Sequence, residues 1–154
     1  MIIKAFQAKN ILSIKQSFFL LYGENEGYKN QIIESIVNGF GESTIKYDAD
    51  DIIKNPDIIF AELNNSSLFL NKKTIIVSRT TDKFFLAIEN LLDKNYEDIK
   101  IIFNAGPLDK KSKMRNKFEK SKNLVCIPFY ADDVSKLSSL ANNFFEKNKI
   151  PISQ

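Results

Sequence analysis

Apolar residues in this chain gather in short continuous runs, and between the runs they recur every three or four positions. Runs rich in β-branched and aromatic residues occupy positions 18–22, 74–77, 99–103 and 124–127, with weaker ones at 2–6 and 44–47. Unbroken rather than alternating hydrophobicity is what a strand needs when both faces of its sheet are covered, so these segments predict buried strands. The intervening segments carry helical stripes: Ile32, Ile33, Ile36, Val37 and Phe40; then Phe84, Phe85, Ile88, Leu91 and Leu92; then Val134, Leu137, Leu140, Ala141, Phe144 and Phe145. Pro56 suits a first helical turn, which predicts a further helix over 57–63, halted by the polar tetrapeptide Asn64-Asn65-Ser66-Ser67.

Strands that alternate with helices imply βαβ crossovers, because parallel neighbours must be joined by long connections. The predicted architecture is therefore an α/β domain of three layers, with a mostly parallel sheet of about five strands. The domain spans 1–149. Residues 150–154 read as the start of a linker rather than a natural terminus, as in a chain cut from a longer one.

Composition narrows the chemistry. The 154 residues include no His and a single Cys, Cys126. That excludes a Ser-His-Asp triad, a Cys-His pair, a His-ligated metal and an internal disulfide, and leaves carboxylates, Lys, Tyr and hydroxyls as the available groups. No apolar run is long enough to cross a membrane, so a cytoplasmic location without membrane contact is expected. The net charge of +3 is unevenly spread: residues 1–99 carry 11 positive and 14 negative groups, residues 100–122 carry 8 and 2, and the remainder balances at 3 and 3. Lys supplies 20 of the 22 cations beside 21 Ile and 16 Asn, a bias that fits AT-rich coding and makes Lys abundance itself a weak signal.

In open α/β sheets ligands bind beyond the carboxyl ends of the strands, which directs attention to the turn after the first central strand. It reads Gly23-Glu24-Asn25-Glu26-Gly27-Tyr28-Lys29-Asn30. A phosphate loop of the form G-x-x-x-x-G-K-[ST] needs amides that wrap the phosphates, a Lys directly after the second Gly and a hydroxyl for Mg²⁺. Here the gap between Gly23 and Gly27 is one residue short, Tyr28 displaces Lys29, Asn30 replaces the hydroxyl, and Glu24 and Glu26 oppose a triphosphate. A nucleotide hydrolase also wants a carboxylate at the end of a neighbouring strand, yet Ser78-Arg79-Thr80 and Asn104-Ala105-Gly106 provide none. The chain reads as the skeleton of an NTPase without its chemistry, and no ATP, metal or other cofactor is expected.

Two further segments draw attention. Lys110, Lys111, Lys113, Arg115 and Lys117 lie in a helix start capped by Asp109 or Ser112. They are either a phosphate-contacting face for DNA or a solvated face whose buried side is Met114 and Phe118. Ser67-Leu68-Phe69-Leu70 places large apolar side chains in a polar loop where no period demands them. They either plug the core or anchor a partner.

Together, Leu20-Leu21-Tyr22-Gly23 with its eroded loop, Ser67-Leu68-Phe69 ahead of Lys72-Lys73-Thr74-Ile75-Ile76-Val77, and Leu108-Asp109-Lys110-Lys111-Ser112-Lys113 resemble the N-terminal domain of the δ subunit of bacterial DNA polymerase III, a clamp-loader family. The likeness runs from about residue 18 to 151. It implies an AAA+-like module, non-catalytic by itself, that binds and helps open the sliding clamp (β) during DNA replication. Leu68 and Phe69, flanked by Ser67 and Leu70, would be the clamp-binding pair. The family often has Pro before that pair and Gly after it, where this chain has Ser67 and Leu70. The resemblance also implies lid and collar domains, absent here, that join the other loader subunits (γ/τ and δ′) around primed DNA. The rival readings are a divergent P-loop ATPase and a nucleic-acid-binding module built on 110–122.

Overall fold

The computed structural model describes residues 1–64 and 72–131 and six positions between 138 and 149. The expected third helical stripe over 134–145, the apolar loop residues Ser67, Leu68, Phe69 and Leu70, and the linker at 150–154 lie outside the described residues, Phe145 excepted.

Five strands form one parallel sheet: β1 (Phe18–Gly23), β2 (Ser43–Asp48), β3 (Lys73–Ser78), β4 (Ile99–Ala105) and β5 (Leu124–Phe129), in the order β2-β3-β4-β1-β5. The five expected runs from 18 to 127 all become strands. β1 is buried at every position because it has a neighbour on each side and a helical layer on each face. Pro128 is tolerated in β5 because that strand is the last of the order and need not donate outward there.

Side chains alternate across the sheet. Phe18, Leu20, Ile75, Val77, Ile101 and Phe103 face one way. They meet α2 (Ala49–Lys54), α3 (Asp57–Asn64), α4 (Asp82–Ile88) and α5 (Lys113–Lys120) through residues such as Ile52, Phe84, Met114 and Phe118. Phe19, Leu21, Ile76, Ile102 and Val125 face the other way, onto Ile32, Ile33 and Ile36 of α1 (Glu26–Phe40) and Ile11. The period of two in the strands and of 3.6 in the helices thus yields three layers.

Three details depart from the expected elements. The weak strand at 2–6 reduces to a bridge between Ile2 and Cys126, after which Ala5–Ser13 forms a 3-10 segment. That segment packs on α1 where Gly39 makes room: a Cβ there would lie 2.3 Å from Leu12 Cδ1. The stripe at 84–92 is divided between α4 and a 3-10 turn, Glu89–Leu91. Finally, α2 is a six-residue helix too short to show a stripe, started by Asp48 accepting from the Asp50 amide at 3.0 Å.

Candidate functional site

The turn between β1 and α1 occupies the position of a phosphate loop, and its hydrogen bonds are internal. Gly23 adopts φ +126°, and a Cβ there would sit 2.0 Å from the Phe129 carbonyl oxygen, so β5 approaches too closely for any other residue. The Gly23 amide donates to Gly106 O (3.2 Å), and the Glu24 and Asn25 amides both donate to Phe129 O (2.9 and 3.4 Å). The Glu26 amide donates to Glu24 O (2.9 Å), and the Tyr28 amide to the capping Asn25 Oδ1 (3.0 Å). These are the amides that a phosphate loop would turn toward its ligand.

Lys29 is fully buried. Its ammonium donates to Ala105 O at the end of β4 (2.7 Å) and to Glu26 Oε1 one helical turn back (2.6 Å). The side chain therefore staples the start of α1 to the carboxyl end of the sheet instead of projecting into solvent. Asn30, Glu24 and Glu26 are exposed. A carboxylate does end one strand, Asp48 on β2, but it caps α2 and pairs with Arg79 at 2.5 Å. The Asp50 amide, and then Arg79, hold its carboxyl below the ordinary range. Among the described residues no cluster of His, Cys, Asp and Glu could hold a metal ion. Cys126 is buried in β5, and burial pushes its thiol up to about 12, which keeps it protonated and inert at neutral pH.

The basic segment divides in two. Lys110, Lys111 and Lys113 are exposed, on a turn tied down from three sides. Asp109 Oδ1 accepts from the Lys111 amide (2.6 Å), and Asn116 Nδ2 donates to the carbonyls of Lys110 and Ser112 (2.8 Å each). Asp82, from α4, accepts from the Ser112 hydroxyl and from the Lys113 and Met114 amides at 2.7–3.0 Å. Burial opposes the charge on Asp82, but those hydrogen bonds outweigh it and hold the carboxyl below its usual range. Ser112 is the N-cap of α5, as one of the two expected alternatives had it. Arg115 does not project with the lysines: its guanidinium bonds Glu119 Oε1 (2.8 Å) and Leu108 O (3.0 Å) and lies 5.2 Å from the centre of the Tyr22 ring. Lys117 reaches toward Asp93 at 3.9 Å. Met114 and Phe118 are buried in the core, as the solvated-face reading requires.

The segment carrying Leu68 and Phe69 is rooted between Asn64, which ends α3, and Lys72. Its base is braced by residues whose role was not legible in the sequence. Lys73 donates to Glu62 Oε2 (2.7 Å) and to the Glu62 carbonyl (2.9 Å), while Tyr47 of β2 donates to Glu62 Oε1 (2.8 Å). Desolvation would raise Glu62, yet the Lys73 and Tyr47 hydrogen bonds hold it lowered, and Tyr47 is pushed up to about 12 by burial and the neighbouring carboxylate. The only sequence signal was a Lys opening an apolar strand directly after a polar loop.

No family model and no curated protein matches this chain. Solved structures do. The Bacillus subtilis DNA clamp loader delta protein (YqeN) aligns at a TM-score of 0.69 over 94% of this chain and 48% of that one, with 13% sequence identity. The chain shares the five-stranded, parallel α/β fold of that clamp-loader protein. A DNA polymerase III gamma subunit-related protein from Thermotoga maritima aligns at 0.53 over 95% of this chain and 53% of that one, with 16% identity. The chain thus spans about half the length of either neighbour.

Proposed function

We propose that this chain is the clamp-binding domain of a clamp-loader subunit of the δ type. It binds the sliding clamp through Leu68 and Phe69 and helps open it, without nucleotide and without catalysis of its own. The observation that carries the reading is the conjunction of a clamp-loader fold with a phosphate loop whose amides and Lys29 are already engaged within the protein. A domain of this kind contributes binding rather than hydrolysis. Domains beyond this chain join it to γ/τ and δ′ subunits around primed DNA, in the cytoplasm.

Mutating the anchor pair tests the reading. A Leu and a Phe that leave water for an apolar pocket contribute roughly 1.5–3 kcal/mol each by area. Leu68→Ala/Phe69→Ala should then weaken clamp binding by about 3–5 kcal/mol, or roughly two to four decades in Kd, with little change in the denaturant midpoint. A core plug would instead lose several kcal/mol of stability with unchanged affinity per folded molecule. Exposed Lys110, Lys111 and Lys113 on their pinned turn favour one subsidiary reading, a contact to DNA backbone within the assembled loader. For the isolated chain it predicts only weak, salt-sensitive binding, on the order of 10⁻⁴ M.

A further inference from the structure

A parallel sheet brings the lead-in segment of every strand to one pole. The anchor-bearing segment leads into β3, residues 92–98 into β4, Lys15 and Gln16 into β1, and 121–123 into β5. Neighbouring strands lie roughly 4.8 Å apart, so the root of the anchor loop stands roughly 10 Å from the start of β1 and roughly 14 Å from that of β5. Hydrogen bonds knit these segments into one platform. The Lys73 amide donates to Asp98 O (2.8 Å), the Tyr96 amide to Ser17 Oγ (2.7 Å), the Ile101 amide to Ser17 O (2.7 Å), and Gln16 Nε2 to Lys122 O (3.4 Å).

A cleft enclosing about 180 Å³ opens on this platform. Among the described residues it is lined by Lys15 and Lys94, by Gln16, Asn95 and Asn123, and by Leu92 as the one apolar residue. Gln16 Nε2 donates to Lys122 O and Asn95 Oδ1 accepts from the Ser17 hydroxyl (2.7 Å), so the Asn123 carboxamide and the opposite ends of those two are what the cleft has to offer a peptide. Asp93 also borders it, with a carboxylate 3.9 Å from the Lys117 ammonium outside. The volume falls below the roughly 300–1,000 Å³ typical of small-molecule sites, and a nucleotide would lack an apolar or aromatic wall for its base. Carboxamides pair with peptide N–H and C=O groups on an extended backbone, and two ammoniums select a carboxylate side chain.

We propose that this cleft receives an acidic, extended peptide segment of the protein whose pocket takes Leu68 and Phe69, so that the clamp is gripped at two points of one pole. The inference rests on the clamp-binding reading and adds a polar contact that fixes the angle at which the apolar anchor enters. Exposed charges at such a rim act on encounter rate and salt dependence more than on the lifetime of the complex.

The test titrates the cognate sliding clamp against the full chain at low and high salt. Lys15→Glu/Lys94→Glu, with melting curves to show an intact fold, should weaken binding about tenfold at low salt and much less at high salt. Asn123→Ala should show a smaller loss, and Leu68→Ala/Phe69→Ala a large loss at both. Unchanged affinity of the charge-reversed chain, with the anchor effect retained, overturns the cleft contact and leaves the clamp-binding reading standing. No clamp binding by the wild type overturns both. If charge reversal abolishes binding to duplex or single-stranded DNA while clamp binding is intact, the cleft belongs to nucleic acid and the proposal fails.

Discussion

Replacing Lys29 with Met discriminates between a structural staple and a dormant nucleotide ligand. In the folded chain the Lys29 side chain is fully buried, and its ammonium is the described partner of the Ala105 carbonyl. Met keeps most of the stem volume but removes the donor and leaves that carbonyl unsatisfied, which costs about 1–3 kcal/mol. The lost contact to Glu26 adds little, because that carboxylate side chain is 60% exposed and can return to water. Lys29→Ala additionally strips three buried methylenes at about 0.8 kcal/mol each, for a total of about 4–5 kcal/mol. Such a loss consumes much of a typical domain's stability of about 5–15 kcal/mol, so the Met variant is the informative one. Urea unfolding of wild type and both variants, each with and without millimolar MgATP, reads the effect directly. The expected order is wild type, then Met, then Ala, with no midpoint responding to nucleotide, since a ligand that binds only the folded state would raise it. A Met variant as stable as wild type, combined with an ATP-dependent rise in the wild-type midpoint alone, would refute the staple and restore the ATPase alternative.

Three other perturbations follow from named contacts. Gly23→Ala places a methyl on the Phe129 carbonyl in a left-handed backbone, and should cost more than about 3 kcal/mol in a denaturant melt. Lys100 is buried on β4, donating to Ile14 O (2.7 Å) between the rings of Phe19 and Phe40, and burial, then Lys72, push its ammonium down to about 8. Because the unfolded chain keeps that proton to about 10.4, the penalty is full below pH 8 and is relieved as pH rises from 8 to 10.4. Wild type should gain about 3 kcal/mol over that window relative to Lys100→Met, and parallel pH–stability curves would contradict it. Glu62→Gln should loosen the brace that ties Glu62 to Lys73 and Tyr47 by about 1–2 kcal/mol. Since the folded Glu62 pKa is lowered, the wild-type advantage is present above the unfolded value of about 4.3 and disappears as pH falls through the folded one, which chemical melts from pH 3 to 6 will follow.

The layered fold was legible in the chain because burial on both faces leaves an unmistakable mark. Phe-Phe-Leu-Leu-Tyr at 18–22 can serve as neither a half-wet strand nor a turn, and the stripe at Ile32, Ile33 and Ile36 has one covered face only. The absence of a hydroxyl after Lys29, and of a carboxylate after Val77 and Phe103, was equally plain, since a missing atom needs no coordinates. What Lys29 does instead was not legible. Its acceptor, the Ala105 carbonyl, lies 76 positions away, and only the pairing of β1 with β4 brings the two within hydrogen-bond reach. The same holds for Arg115, which reads as one more basic residue of its segment until Glu119, Leu108 and Tyr22 enclose it. Lys100, polar inside an apolar run, becomes a buried amine only when α1 ends above it at Phe40. Apolar periodicity is a property of neighbouring positions and survives in the sequence. The partner of a polar side chain depends on which distant backbone groups the crossovers deliver, so only tertiary structure decides it.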